Sequence, residues 1–227
     1  MKTRILPADE TVSAAAEHIL ACVAEKPDGV IAVSGGADEL LVLRRAAELA
    51  AERGVSFDEL KVFAACEFCG GEGIIAGQIR TSLSAAFRGG IFTPDGDDCA
   101  GYDGKIERMG GIDLAVLGLG DGASVAFNEL ATQYDSYTHV QKLSSRIKNE
   151  WADVFGGAEN VPERGVTLGF QNICRASDIV VIALGERRSD AVFRMLYGRD
   201  DSVYPAAFLQ LPRDVCLYAD TDAAAKL

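Results

Sequence analysis

The stretch Val30-Ile31-Ala32-Val33-Ser34-Gly35-Gly36 carries the most information about the fold of this 227-residue chain. Its four apolar, mostly β-branched residues predict a short strand that is buried on both faces, and the two glycines predict a turn. Apolar residues then recur at helical spacing from Glu39 to Arg53, and Gly54 ends that pattern. A strand, a glycine turn and a helix in succession form the basic unit of a parallel sheet.

The same alternation of strands and helices continues along the chain. Further helices are predicted over residues 9–25, 74–88, 144–155 and 189–196, and further strands over 61–65, 112–117, 138–143, 179–184 and 215–218. Residues 89–104 are rich in glycine and aspartate and are expected to form a surface loop. This pattern predicts an α/β fold with three layers, α/β/α, around a mostly parallel central sheet. The length and the lack of a linker-like stretch predict a single domain over residues 1–227.

The overall composition argues against several classes of protein. A formal net charge of -12 repels the phosphates of nucleic acids and anionic lipids, so neither nucleic acid nor membrane is an expected partner. The apolar runs are far shorter than the ~20 residues of a membrane-spanning helix, and the first residues lack a signal-peptide core. The six scattered cysteines fit reduced thiols better than a disulfide framework. We therefore expect a soluble, cytoplasmic protein that binds a small molecule.

Three loops that start at Ser34, Cys66 and Gly118 follow predicted strands. Ligands of open parallel sheets bind beyond the carboxyl ends of the strands, so these loops are expected to converge on one pocket. The turn Ser34-Gly35-Gly36 precedes a helix and offers free amides at its positive end, which suits a phosphate group. The same turn would also serve simply to join the strand to the helix.

The pair Cys66 and Cys69 has the Cys-x-x-Cys spacing that redox dithiols and zinc half-sites share. No second pair completes a zinc site, and the two histidines, His18 and His139, are expected to be structural. The sequence therefore predicts no metal and no cofactor. A thiol or metal protein built on Cys66 and Cys69 remains a minor alternative.

Residues 118–129, Gly-Leu-Gly-Asp-Gly-Ala-Ser-Val-Ala-Phe-Asn-Glu, carry a family resemblance together with the turn at Ser34 and residues 161–169 and 207–211. The chain resembles the glucosamine-6-phosphate deaminase/isomerase family, within the larger group that includes 6-phosphogluconolactonase. The resemblance covers nearly the whole length, and the Phe-Asn-Glu ending favours the deaminase branch. It implies a deaminase-like, Rossmann-like fold and a phosphorylated sugar or amino sugar as ligand. The implied reaction is aldose–ketose isomerisation, with or without loss of ammonia.

The resemblance also assigns roles to individual residues. Cys66 stands where the family has its aspartate base, and Glu67 keeps the neighbouring glutamate. Ser124 replaces the histidine that helps to open the sugar ring, and Glu129 keeps the glutamate that orients that histidine. Asp121, one position from the family's aspartate, is the remaining carboxylate of this loop. These five residues, Cys66, Glu67, Asp121, Ser124 and Glu129, are the candidate catalytic residues.

Phosphate recognition is assigned to Ser34, Gly35, Gly36 and Arg188, where Arg188 takes the position of the family's phosphate-binding lysine. The Thr-Pro that ordinarily follows the glycine turn is Ala37-Asp38 here, which adds a negative charge. A general acid or base contributes about 10²–10⁴-fold, so loss of the aspartate and the histidine predicts weak ordinary deaminase activity. The main alternative is a non-catalytic sugar-phosphate sensor or partner-binding protein. The oligomeric state stays open, and a homo-oligomer is compatible with the resemblance.

Overall fold

The computed structural model describes residues 1–71, 73–83, 87–198 and 203–227. Its strands are β1 (Lys2–Leu6), β2 (Val30–Val33), β3 (Lys61–Ala64), β4 (Cys66–Phe68), β5 (Ile91–Phe92), β6 (Leu114–Gly118), β7 (His139–Lys142), β8 (Arg164–Thr167), β9 (Asp178–Ala183) and β10 (Val215–Asp220). Its α-helices are α1 (Ala8–Glu25), α2 (Ala37–Arg53), α3 (Ile74–Ser82), α4 (Cys99–Arg108), α5 (Ser145–Glu150), α6 (Ala152–Phe155), α7 (Phe170–Ile173) and α8 (Ser189–Tyr197). In these described ranges no helix is both long enough and apolar enough to cross a bilayer.

Seven of the strands form one parallel sheet in the order β1-β10-β9-β6-β2-β3-β5. Helices cover both faces of this sheet. The inner strands contribute alternate residues to two separate hydrophobic clusters, one on each face. In β6, Leu114 and Val116 join the cluster under α1, α2 and α3, whereas Ala115 and Leu117 join the cluster under α4, α7 and α8. Burial on both faces explains the continuous apolar runs of these strands. The predicted three-layer α/β/α architecture is confirmed.

A second sheet is antiparallel and has the order β4-β8-β7. It begins with Cys66, two residues after β3 ends, so Cys66 lies in a strand and not in the predicted loop. Cys66 pairs with Thr167 of β8, a strand that the sequence patterns did not indicate. Consequently the backbone around Cys66 is held on a ladder of hydrogen bonds at the edge of the main sheet.

Other sequence predictions need correction. The expected loop over residues 89–104 contains β5 and the start of α4. Asp98 caps α4 by accepting a hydrogen bond from the Gly101 amide, and two glycines inside the helix hid its pattern. The helix predicted over 144–155 is two helices that join at the buried Trp151. The helix predicted over 74–88 ends at Ser82, and residues 84–86 lie outside the described residues.

Candidate functional site

A small cavity lies at the carboxyl edge of the seven-stranded sheet, where the segments that follow β2, β3, β6 and β9 meet. Its lining residues are Ser34, Gly36, Glu39, Cys66, Gly118, Leu119, Gly120, Ala126, Phe127, Glu150, Trp151 and Arg188. We call it the Arg188 cavity. Its volume is about 40 Å³, enough for a few water molecules and far below the roughly 300–1,000 Å³ of ordinary small-molecule pockets. The structure therefore brings Ser34, Gly36, Cys66 and Arg188 together, in a closed arrangement.

Arg188 is buried in this cavity and faces three carboxylates. Its Nε lies 3.4 Å from Oδ2 of Asp38, its Nη1 lies 3.4 Å from Oδ1 of Asp121, and its Nη2 donates to Oε1 of Glu150. The Asp38 carboxylate also accepts a hydrogen bond from the Leu184 amide. The buried Arg188 guanidinium thus interacts with three carboxylates, and each of its sides already has a partner from the same chain.

The predicted phosphate cradle at the glycine turn is occupied by the carboxylate of Glu39. Its Oε1 accepts hydrogen bonds from the Gly36 amide, at 3.0 Å, and from the Ser34 hydroxyl. A Cβ at Gly118 would lie 2.1 Å from Glu39 Oε2, so a larger residue there would require the Glu39 carboxylate to move. Burial raises the pKa of Glu39 above its usual range. Gly35 has a φ of +74° and faces Ile75, so it does not line the cavity.

Cys66 occupies the position that the resemblance assigns to the base. Its thiol is buried and donates to the Ser34 carbonyl oxygen at 3.3 Å. Burial raises the pKa of the Cys66 thiol well above its usual value, and the neighbouring Glu67 carboxylate raises it further. The group is therefore a neutral thiol that donates a hydrogen bond. It is not the thiolate that would accept a proton from a substrate.

Glu67 does not line the Arg188 cavity. Its Oε1 accepts hydrogen bonds from the amides of Phe68 and Ile75, at 2.9 and 3.2 Å, and its Oε2 accepts one from Ala76 at 3.1 Å. The carboxylate therefore caps the amino end of α3. Burial raises the pKa of Glu67, while these amides act in the opposite direction. This candidate catalytic residue thus caps a helix and lies outside the Arg188 cavity.

Asp121, Ser124 and Glu129 line a second cavity of about 420 Å³, together with Ser144 and Arg146 among others. Ser124 Oγ donates to the Asp121 carbonyl oxygen at 3.4 Å. Glu129 accepts hydrogen bonds from the Ser144 amide, at 3.0 Å, and from the Ser144 hydroxyl. Of the predicted catalytic residues, Cys66 lines the Arg188 cavity, Asp121, Ser124 and Glu129 line the second cavity, and Glu67 lines neither. The carboxylate of Asp121 connects the two cavities through Arg188.

Gly120 lines the Arg188 cavity and immediately precedes Asp121, which lines the second cavity. A Cβ at this position would lie 2.2 Å from Ser124 Oγ and 3.3 Å from Glu150 Oε2. The loop is held in a defined shape, because Asn128 Nδ2 donates to the carbonyl oxygens of Val125 and Leu168 at 3.0 and 2.8 Å. Ala123 has a positive φ of 59°, which costs roughly 1 kcal/mol for a residue other than glycine. Tertiary contacts maintain this conformation against local preference.

Sequence reasoning missed two residues that define the Arg188 cavity. Glu39 stands three residues after Gly36, and that spacing is typical of a helix-capping glutamate, so a signal for its position was present. Glu150 carried no such signal, because it meets Arg188 only through the packing of α5 against the sheet edge. Both carboxylates accept hydrogen bonds from donors that a phosphate group would need.

Cys66 and Cys69 do not form a disulfide bond with each other. All six cysteines are free, and burial raises the pKa of Cys69 as well as that of Cys66. Within the part of the chain that the structure describes, the one group of three ligand-type side chains close enough to hold a metal is His18, Cys22 and Asp178, which lies elsewhere.

Comparisons with known proteins agree with this architecture. No family model matches the chain. The glucosamine-6-phosphate deaminase of Cutibacterium acnes is 32% identical over 226 residues, which cover 94% of this chain and 87% of that protein. The structure of a monomeric glucosamine-6-phosphate deaminase superposes with a TM-score of 0.90 at 24% identity and full coverage of both chains. The 6-phosphogluconolactonase of Trypanosoma brucei gives 0.74 at 15% identity, over 100% of this chain and 98% of that one, so both likenesses show the fold. The chain belongs to the glucosamine-6-phosphate deaminase family.

Proposed function

We propose that this protein binds a phosphorylated sugar at the carboxyl edge of its sheet without deaminating it at ordinary enzymatic rates. One observation carries the proposal: the group at the position of the base is the buried, neutral Cys66 thiol, which donates to Ser34. The other proton-moving candidates are also engaged, since Glu67 caps α3 and Glu129 is held by Ser144. When the base and the ring-opening acid are both absent, little of the acid–base contribution to the reaction rate remains.

Phosphate recognition in this protein requires an exchange of anions at Arg188. The guanidinium is the buried cation of the cavity, and Glu150 occupies its Nη2. A phosphate group that binds Arg188 bidentately must replace the Glu150 carboxylate. Since Glu150 is the last residue of α5, its release also widens a cavity that is otherwise too small for a sugar. The proposal thus couples ligand binding to a displacement of α5.

A second candidate function is aldose–ketose isomerisation with Asp121 as the proton-moving group. It is favoured by the position of Asp121. This side chain is 55% exposed and lines the 420 Å³ cavity, and its Oδ1 lies 3.4 Å from Arg188 Nη1. An isomerase would turn over a sugar phosphate without releasing ammonia, so product analysis separates it from the non-catalytic alternative.

The test is a thermal-shift and calorimetric titration with glucosamine 6-phosphate, glucose 6-phosphate and unphosphorylated glucosamine, with ammonia and ketose formation measured in parallel. We expect stabilisation by the phosphorylated sugars alone, of about 2.7 kcal/mol at 100 times the dissociation constant. Ammonia release at about 1–10³ per second would contradict the proposal. Ketose formation without ammonia would select the isomerase.

A matched pair of variants tests the exchange at Arg188. Glu150→Gln removes the competing charge and should tighten binding of glucosamine 6-phosphate, because the phosphate no longer displaces a carboxylate. Glu107→Gln changes an exposed glutamate of α4 and should leave the affinity unchanged. Equal affinities of the two variants, with both folded, would show that the phosphate binds somewhere other than Arg188.

A further inference from the structure

A third cavity lies at the opposite, amino edge of the seven-stranded sheet, where β1, β9 and β10 begin and α1 packs beside them. Its volume is about 450 Å³, and its lining includes His18, Asp178 and Tyr218. We call it the amino-edge cavity. No residue of the candidate site described above lies in it, and the sequence analysis expected His18 to be structural.

His18 and Cys22 approach Asp178 at this edge. They are four residues apart on α1 and therefore lie on the same face of the helix, while Asp178 is the first residue of β9. His18 Nε2 lies 2.7 Å from Asp178 Oδ2, and Cys22 Sγ lies 3.6 Å from the same oxygen. The three ligand-type atoms are all within 4.8 Å of one another. Such convergence of an imidazole, a thiol and a carboxylate is a donor set for a transition metal.

We propose that His18, Cys22 and Asp178 form a site for a divalent transition metal of the zinc type. Zinc takes imidazole nitrogen, thiolate sulfur and carboxylate oxygen at roughly 2.0–2.3 Å. Tetrahedral geometry with these bond lengths separates a sulfur and an oxygen ligand by about 3.6 Å, and a nitrogen and an oxygen ligand by about 3.4 Å. Cys22 and Asp178 already have this separation. His18 and Asp178 need to move apart by only about 0.7 Å.

The surroundings of His18 support the required orientation of its ring. Its Nδ1 lies 3.0 Å from the Tyr218 hydroxyl, so a metal on Nε2 leaves the proton on Nδ1, which donates to the Tyr218 oxygen. Metal-binding histidines commonly make such a second hydrogen bond. The side chains of His18 and Asp178 are 24% and 28% exposed, and both face the amino-edge cavity. The fourth coordination position is therefore open to water or to a small ligand.

Charges of both signs line the cavity. The basic side chains are Lys2, Arg4, Arg213 and His18, and the acidic ones are Asp178, Asp214 and Glu17, of which Glu17 also pairs with Arg53. Binding of the metal releases two protons. The Cys22 thiol becomes a thiolate, and His18, whose pKa is raised to about 10 by its hydrogen bonds with Cys216, Cys22 and Asp178, gives up the proton on Nε2. The thiolate and the Asp178 carboxylate then balance the two charges of the ion. The site is locally neutral when it is filled.

The full-length protein, stripped with a chelator and dialysed, tests the proposal by calorimetric titration with zinc and by absorption spectroscopy with cobalt. We expect one zinc ion per chain and a thiolate-to-cobalt charge-transfer band. Cys22→Ser should abolish that band and weaken zinc binding at least about tenfold, since loss of a direct ligand costs no less than loss of an outer hydrogen bond. Asp178→Asn should also weaken binding. Cys69→Ser is the control and should leave both readouts unchanged.

Three results would overturn the proposal. They are no zinc uptake, uptake with unchanged affinity in Cys22→Ser, and loss of binding in Cys69→Ser instead, which would place the metal at the Cys-x-x-Cys pair. Circular dichroism confirms folding of each variant. If Asp178→Asn does not fold, Cys22→Ser decides the question, because a serine at this half-buried helix position preserves the fold.

Discussion

The Arg188 cavity and the amino-edge cavity, at the two edges of the same parallel sheet, differ in how much space surrounds their charged groups. At the carboxyl edge, Arg188 contacts three carboxylates, Glu39 fills the glycine turn, and the cavity measures about 40 Å³. At the amino edge, His18 and Asp178 face a cavity of about 450 Å³. The carboxyl ends of strands are where parallel sheets usually bind ligands. The comparison shows that fold position locates a site, whereas the neighbouring side chains decide whether it is open.

The physical basis of this difference is electrostatic. A buried guanidinium is tolerable only when anions compensate it, and the carboxyl edge supplies more anions than one guanidinium needs. The groups there stabilise one another, and each nitrogen of the Arg188 guanidinium already has a carboxylate partner. At the amino edge His18 and Asp178 pair with each other beside a wider, partly solvated space, so solvent reaches both side chains.

The largest effect is expected for Arg188→Ala. This change leaves the partly buried Glu150 without its cation and the buried Asp38 with only the exposed Arg187, and it should lower the free energy of unfolding by about 3–5 kcal/mol, measured by urea denaturation. Arg187→Ala is the control, because the Arg187 side chain is 58% exposed and its ion pair with Asp38 should contribute about 0–1 kcal/mol. Equal costs for the two variants would mean that the carboxyl edge is not held together by Arg188.

Glu67→Ala should be the next most damaging change. It removes the acceptor for the Ile75 and Ala76 amides at the start of α3, and we expect a loss of about 2 kcal/mol. Glu67→Gln keeps one acceptor oxygen and should cost less. Hydrogen exchange at these two amides provides the local measurement. Unchanged stability combined with altered ligand turnover would restore Glu67 as a catalytic group.

Tyr218→Phe tests the amino edge. Loss of the hydroxyl removes the partner of His18 Nδ1, which should cost about 1 kcal/mol of stability and lower zinc affinity by about tenfold. Tyr197→Phe is the matched control, since Tyr197 is 66% exposed on α8. A stability loss without any change in zinc affinity would separate the hydrogen bond from the proposed metal site.

The smallest effect, and one that depends on pH, is expected for Glu39→Gln. Burial raises the pKa of Glu39 above its ordinary value of 4.5, so the folded state favours the neutral carboxyl. The stability that this preference contributes is present below about pH 4.5 and is lost as the pH rises through the raised pKa. Glutamine stays neutral and keeps the oxygen that accepts from Ser34 and Gly36.

Denaturation curves between pH 4 and 7 should therefore show Glu39→Gln gaining stability relative to the natural protein as the pH rises. Glu48→Gln serves as the control, because the Glu48 side chain is 54% exposed. A stability difference for Glu39→Gln that stays constant over this range would argue that Glu39 titrates as an exposed residue does.

The strands that sequence patterns predicted best are those buried on both faces, such as β2, β6 and β9, because burial demands apolar residues at every position. The edge strand β1 was missed. Its residues Lys2–Leu6 are mostly exposed, and its order comes from parallel pairing with β10, at the far end of the chain. Similarly, β8 is recognisable only from its pairing with β4 and β7.

The sequence by itself determined the alternating α/β architecture and the family, and it predicted that Cys66 and Ser124 stand where the family has its base and its histidine. Tertiary structure alone decided that Asp38 and Glu150, which are 150 and 38 residues from Arg188, would surround it, and that His18 would meet Asp178 across 160 residues. Hydrophobic periodicity is a local property that a short window of sequence records. Ion pairs and ligand clusters between distant segments depend on strand order and helix packing, which a short window does not contain.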